Sequence, residues 1–155
     1  MINGFHHVAI CTPSLERFVA HYRDWFGFER VSDASWPLGN ERINRVFGLE
    51  QSSGRFAMLR LKSFYIEVFE FSHPEGRRPD HRVCDPGLTH ICLCVSDIWA
   101  EYERLKGLGM TFHAPPGGSE KNLTTYGRDC DGNIVEILEL LDPELPYRFL
   151  DKALA

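Results

Sequence analysis

The chain has 155 residues, enough for one domain with a sizeable core. Its 43% apolar and 25% charged residues are ordinary for a globular protein, and its formal charge of -5 argues against nucleic acid or an anionic membrane surface as a partner. No apolar run reaches the roughly 18 residues a membrane helix needs, and Met1-Ile2-Asn3-Gly4 opens no basic-then-apolar leader, so a cytoplasmic protein is expected. The five cysteines are an odd number without CxxC spacing, which predicts reduced thiols rather than a disulfide framework or a zinc knuckle.

Residues 4–11 alternate apolar and polar and read as a strand. Ser14 stands at the N-cap of a helix carrying Leu15, Phe18, Val19, Tyr22 and Phe26 at helical spacing, and Gly27 stops it. Residues 28–31 start a second strand. Residues 33–54, with Trp36, Pro37, Gly39, Asn40, Gly48 and Gly54, read as a long connection holding one helical turn. Residues 55–61 and 64–71 form a hairpin about Lys62-Ser63. A stretch rich in Pro, Arg and Asp, residues 74–85, is a linker.

The same order then returns. Residues 88–95 are a strand, and Asp97 caps a helix with Ile98, Tyr102, Leu105 and Leu108 on one face, ending near Gly107 and Gly109. Residues 110–113 are a short strand, 115–118 a loop, and 123–128 with 134–140 a hairpin turned by Asp131-Gly132-Asn133. Residues 143–155 read as a loose terminal helix.

The repetition extends to particular residues. His7-Val8-Ala9-Ile10 runs into Ser14-Leu15-Glu16, and His90-Ile91-Cys92-Leu93, 83 residues later, runs into Asp97-Ile98-Trp99. Each copy is followed by a strand-like run with a carboxylate in an apolar setting, Tyr65-Ile66-Glu67-Val68-Phe69 and Ile134-Val135-Glu136-Ile137-Leu138. That is an internal duplication of one supersecondary unit, and two such units must pack to bury their sheets.

Strand alternation puts His7 with Ala9 and Cys11, and His90 with Cys92 and Cys94, on the face away from the helix. A carboxylate flanked by large apolar neighbours is costly unless paired or metal-bound. Two imidazoles and two carboxylates suit Mn, Fe, Co, Ni or Zn. The alternative is a pair of hydrogen-bonded core histidines with glutamates facing solvent. By alternation His6 points outward, and Glu70 and Glu139 turn away from Glu67 and Glu136 and read as solvated. His21, His73 and His81 read as surface residues. Arg42, Asn44, Arg45, Tyr126 and Arg128 are candidates for a substrate's anionic group or a cavity wall, weighed against structural roles.

These motifs, with Phe5-His6-His7-Val8-Ala9-Ile10, Phe26-Gly27-Phe28 and Asp129-Cys130-Asp131-Gly132-Asn133-Ile134-Val135-Glu136, resemble the vicinal oxygen chelate superfamily of glyoxalase I, methylmalonyl-CoA epimerase, fosfomycin-resistance transferases, bleomycin-binding proteins and extradiol dioxygenases. The resemblance covers residues 4–141. It implies an α+β fold of two βαβββ modules, residues 4–73 and 86–141 with a tail 142–155, forming an open, pseudo-two-fold barrel around a metal site in a single domain, 1–155. It implies His7, Glu67, His90 and Glu136 as ligands of one divalent metal (Ni, Co, Zn, Mn or Fe), with Glu67 and Glu136 the catalytic carboxylates. The four-residue set is most similar to glyoxalase I. The implied activity is that of a lyase or isomerase moving a proton beside a carbonyl or thioester oxygen of a small molecule, in a homodimer whose ligands in some members come from both chains. The alternatives are a one-domain extradiol-type dioxygenase and a non-catalytic protein holding a hydrophobic ligand between Trp36, Phe56, Phe69 and Tyr126. Cys11 stands where bacterial glyoxalase I carries an arginine for glutathione, which argues against glutathione as the anchor.

Overall fold

A computed structural model describes residues 1–77 and 82–148. The element order is β1 (His7–Cys11), α1 (Leu15–Phe26), β2 (Glu29–Trp36), α2 (Glu41–Phe47), β3 (Ser53–Leu61), β4 (Phe64–His73), β5 (Ile91–Val95), α3 (Ile98–Gly107), β6 (Thr111–Phe112), β7 (Gly117–Gly118), β8 (Asn122–Arg128) and β9 (Ile134–Leu140). The class is α+β, with two sheets. The chain divides into two compact units between residues 78 and 79.

In the first unit the sheet order is β1-β4-β3-β2, with β1 parallel to β4 and the rest antiparallel. Leu61 pairs with Phe64, so Lys62-Ser63 is a two-residue turn, with Lys62 at φ 54°. Helix α1 buries Leu15, Phe18, Tyr22 and Trp25, and packs on β3 and β4, whose Ala57, Leu59, Ile66 and Val68 are buried. Each large side chain buried in this way contributes about 1.5–3 kcal/mol. Gly27, at φ 78°, ends the helix in the left-handed conformation that favours glycine.

The second unit repeats the pattern with sheet order β5-β9-β8-β6, and β7 pairs with β8. Strand β5 runs parallel to β9, and α3 packs on β9 with Ile98, Tyr102 and Leu105 buried, as are Val135 and Ile137. Asp129 Oδ1 accepts from the amides of Asp131 and Asn133 and closes the β8–β9 turn.

The structure departs from expectation in four places, three of them in secondary structure. Residues 33–54 are largely regular: β2 continues to Trp36, and α2 is a helix capped by Asn40, whose side chain accepts from the Ile43 amide at 3.2 Å. The many Gly and Pro residues there mark the ends of elements rather than one long loop. Residues 143–148 form turns, not a helix, and the rest of the expected terminal helix lies outside the described residues, as does His81. Residues 117–118, expected as a loop, make two bridging pairs with Thr124 and Leu123.

Helix starts carry the fourth departure. Glu70 Oε2 accepts from the Leu15 amide at 2.6 Å, and Glu139 Oε2 accepts from the Ile98 amide at 3.1 Å. The two glutamates are therefore helix caps rather than solvated residues. Alternation does turn them from the histidine face, and the first helical amides lie on that other side. Ser14 occupies the N-cap position of α1 without a side-chain cap, whereas Asp97 accepts from Ala100 at 3.0 Å.

Candidate functional site

Sheet register sets the face. His7 pairs with Tyr65 and Ala9 with Glu67, so His7, Ala9, Cys11, Tyr65, Glu67 and Phe69 share one side of the first sheet, opposite α1. Cys92 pairs with Glu136 and Cys94 with Leu138, and His90 precedes β5 in the same phase. The histidine face is half-buried at His7 and His90 and exposed at Ala9, Cys11, Cys92 and Cys94.

Within each unit the sequence-predicted pair is assembled. His7 Nε2 lies 3.3 Å from Glu67 Oε2, and His90 Nε2 lies 3.1 Å from Glu136 Oε2. Among the described residues no three His, Cys, Asp or Glu side chains are grouped to hold a metal ion, so each unit offers two ligands. An imidazole nitrogen and a carboxylate oxygen at this spacing form half of the nitrogen and oxygen donor set that a first-row divalent cation takes. The donor chemistry therefore fits such a cation.

The two carboxylates have different neighbours. Glu136 accepts from the Thr124 hydroxyl at 2.6 Å, and its partners in register on either side are Tyr126 and Cys92. Loss of water around the sulfur, although much of the residue stays exposed, and the Glu136 charge push the Cys92 thiol up to about 12, and the same two causes, desolvation first, raise Tyr126. Neighbouring protein atoms that displace water from the sulfur likewise raise Cys11 and Cys94, although both residues are exposed. Around Glu67 the equivalent register places are taken by Ala9, Met58 and Phe56, which donate no side-chain hydrogen bond.

Other candidates fall into structural roles. Asn44, in α2, is buried: Ser52 donates to it at 2.7 Å and Trp36 Nε1 donates to Ser52 at 3.1 Å, a relay tying α2 to β2 and β3. It is not available to a substrate anion, while Arg42 and Arg45 are exposed. Arg128 donates to the Gly132 carbonyl at 2.9 Å and to His113 Nε2 at 3.2 Å, and so braces the β8–β9 turn. Trp36, Phe56 and Phe69 join Phe47 and Phe71 in one aromatic cluster on the Glu67 side of the first sheet, with Trp36 and Phe69 themselves buried. Tyr126 belongs to the second unit, edge-on to His90 at 5.3 Å between centroids. His21 Nδ1 donates to the Arg17 carbonyl, 2.8 Å away.

His6 is not simply outward. It precedes β1, so strand alternation does not govern it; its ring stacks on Tyr65 at 5.1 Å and its Nδ1 lies 2.9 Å from His7 Nδ1. Thr89 holds the same relation to His90 at 2.8 Å. Sequence reading missed Thr89 and Thr124 because nothing in their type marks them. The two caps, by contrast, had a signal: Glu67 and Glu70 recur as Glu136 and Glu139 at the same spacing.

Two sheet-and-helix units, each presenting a His–Glu pair, define a duplicated protein of the vicinal oxygen chelate type. Residues 4–137 match the model of the Glyoxalase/Bleomycin resistance protein/Dioxygenase superfamily, and the chain belongs to that family. It is 28% identical to an ethylmalonyl-CoA/methylmalonyl-CoA epimerase of Cereibacter sphaeroides over 88% of this chain and 98% of that one. It is 30% identical to a 2-epi-5-epi-valiolone epimerase of an Actinomyces species over 65% of this chain, a match that spans 56% of that relative's length. Among solved structures, a glyoxalase family protein from Bacillus cereus superposes with a TM-score of 0.82 at 20% identity, covering 92% of this chain and 97% of that one. The fosfomycin resistance protein FosX from Listeria monocytogenes, complexed with Mn(II) and sulfate, gives 0.63 at 18% identity, covering 90% and 93%. All five cysteines are free, and among the described residues no helix is long and apolar enough to cross a membrane.

Proposed function

We propose that this protein is a divalent-metal-dependent lyase or isomerase that moves a proton at the carbon beside a carbonyl or thioester oxygen of a small substrate. The observation that carries this reading is the His–Glu pair repeated in both units at 3.3 and 3.1 Å. Relatives named as epimerases support it. His7, Glu67, His90 and Glu136 would hold one cation (Ni, Co, Zn, Mn or Fe), one pair from each module, within a single chain or across a homodimer. When bound, that cation would stabilise negative charge on the substrate oxygen.

The protein's own groups then divide the work. Glu136, held by the Thr124 hydroxyl and flanked in register by Tyr126 and Cys92, is the fixed carboxylate. Among the described residues, the polar partner of Glu67 is His7, and its neighbours in register are apolar, so Glu67 is the carboxylate free to turn and take a proton. The aromatic cluster beside it excludes water from that side and offers an apolar wall to the substrate. A cytoplasmic homodimer with reduced thiols is the setting this reading expects.

The test is metal analysis of protein purified without chelator, followed by incubation of the loaded protein in D2O with 2-oxoaldehyde–thiol adducts and 2-methyl-branched acyl thioesters. About one metal per chain and metal-dependent deuterium uptake at the carbon beside the carbonyl are expected. Protein without metal, or loaded protein that exchanges nothing while consuming oxygen with catechols, would overturn the proposal.

A further inference from the structure

The residue before each histidine makes the same contact in both units. His6 Nδ1 lies 2.9 Å from His7 Nδ1, and Thr89 Oγ1 lies 2.8 Å from His90 Nδ1. The other ring nitrogen, Nε2, faces the carboxylate in each case, at 3.3 and 3.1 Å. So each imidazole is gripped at both nitrogens, once by a carboxylate and once by its chain neighbour.

A neutral imidazole has one N–H and one bare nitrogen. While Nε2–H donates to the carboxylate, Nδ1 is bare and calls for a donor. If Nε2 instead gives its lone pair to a cation, the ring's proton must sit on Nδ1, and Nδ1 now calls for an acceptor. A backbone carbonyl could serve only the second state and an ammonium only the first. A hydroxyl and an imidazole are amphoteric and serve both. Thr89 does so by rotating its O–H. His6, exposed and fixed in orientation by its stack on Tyr65, does so by exchanging its own proton with water.

We infer that His6 and Thr89 are positioning residues that hold His7 and His90 in place through the tautomer change that accompanies cation binding. The ring neither gains nor loses a proton overall: one leaves Nε2 for solvent and one arrives on Nδ1 from solvent. The inference rests on the metal-site reading above, and concerns which side chains keep the ligand rings aimed.

The experiment compares wild type with Thr89→Val, Thr89→Ser, His6→Phe and His6→Thr by titration with Co(II), read by absorbance and calorimetry. Valine keeps the shape and removes the hydroxyl, and phenylalanine keeps the stack on Tyr65 and removes Nδ1. Both should weaken Co(II) binding about ten- to a hundredfold, with the serine and threonine variants returning most of it. Nitrogen-15 NMR supplies the readout that mere loss of packing would not move. In metal-free wild type His90 should carry its proton on Nε2, where the Glu136 carboxylate accepts it, and in Zn(II)-loaded protein on Nδ1; in Thr89→Val the Nδ1–H of the Zn(II)-loaded ring, left without its acceptor, should move upfield and exchange faster with water. Equal Co(II) affinity in all five proteins, or an unchanged Nδ1–H signal of Zn(II)-loaded His90 in Thr89→Val, overturns the inference and leaves the metal site standing. A wild type that takes up no Co(II) overturns the metal site first, and the inference with it.

Discussion

Thr124 donates to Glu136 at 2.6 Å, and in the matching register place of the other unit stands Phe56, which holds nothing of Glu67. The same substitution of apolar for polar occurs at Tyr126 against Met58 and at Cys92 against Ala9. A duplicated unit has thus kept its His–Glu pair and diverged around one carboxylate. The expected consequence is a split between binding and proton transfer. Glu136→Gln should lose the metal, and Thr124→Val should weaken metal binding roughly tenfold or more. Glu67→Gln should keep metal and lose deuterium exchange by roughly a hundredfold or more. Metal stoichiometry and exchange rate, measured on the same preparations, decide it; the reverse pattern would exchange the two roles.

The Glu70 cap makes stability depend on pH. Burial pushes its carboxyl up, but Arg55 at 2.8 Å and the Leu15 amide outweigh this and hold it below the usual glutamate range. Because the folded value lies below the unfolded one of about 4.3, the stabilisation is fully present above that pH and is lost as pH falls through the folded value. Glu70→Ala should cost about 1–2 kcal/mol at pH 7, where helix cap and ion pair are both removed, and distinctly less near pH 3. Urea unfolding at the two pH values measures the difference. Glu139→Ala should cost less than Glu70→Ala, since Asp97 still caps α3.

Much of this was legible in the sequence because periodicity and punctuation agree. Leu15, Phe18 and Tyr22 fix the buried face of α1, Gly27 fixes its end, and Lys62-Ser63 and Asp131-Gly132-Asn133 fix two hairpin registers that bring Glu67 and Glu136 onto the histidine side. Strand β2 was harder: it is exposed along most of its length, so Glu29–Trp36 shows no apolar alternation, and its pairing with β3 is a long-range fact. Capping by Glu70 left only an indirect trace, its recurrence as Glu139, because the Leu15 amide it serves is 55 residues away.

Gly54 has a steric reason that the sequence does not show. A Cβ there would lie 2.5 Å from the Glu70 carbonyl oxygen and 2.9 Å from the Trp36 ring. The first is backbone of β4 and the second a buried ring tied to Ser52, so neither yields easily. Gly54→Ala should destabilise by about 3 kcal/mol, at the upper end of ordinary overpacking. Chemical unfolding followed by Trp fluorescence reads it, and a variant as stable as wild type would show that Trp36 can move.

Cys92 offers a probe of the Glu136 charge. Its thiol, pushed to about 12 by desolvation and by the adjacent carboxylate, is almost wholly protonated at pH 8. Since the thiolate is the nucleophile, alkylation of Cys92 in chelator-treated protein should run roughly a hundredfold or more slower than that of an unhindered peptide thiol. Removing the charge with Glu136→Gln leaves desolvation in place but withdraws the electrostatic penalty, so the rate should rise without reaching the peptide value. Peptide-resolved mass spectrometry after timed iodoacetamide treatment follows the site alone. Fast labelling of Cys92 in wild type, or a rate indifferent to Glu136→Gln, would mean that the carboxylate does not bear on the thiol.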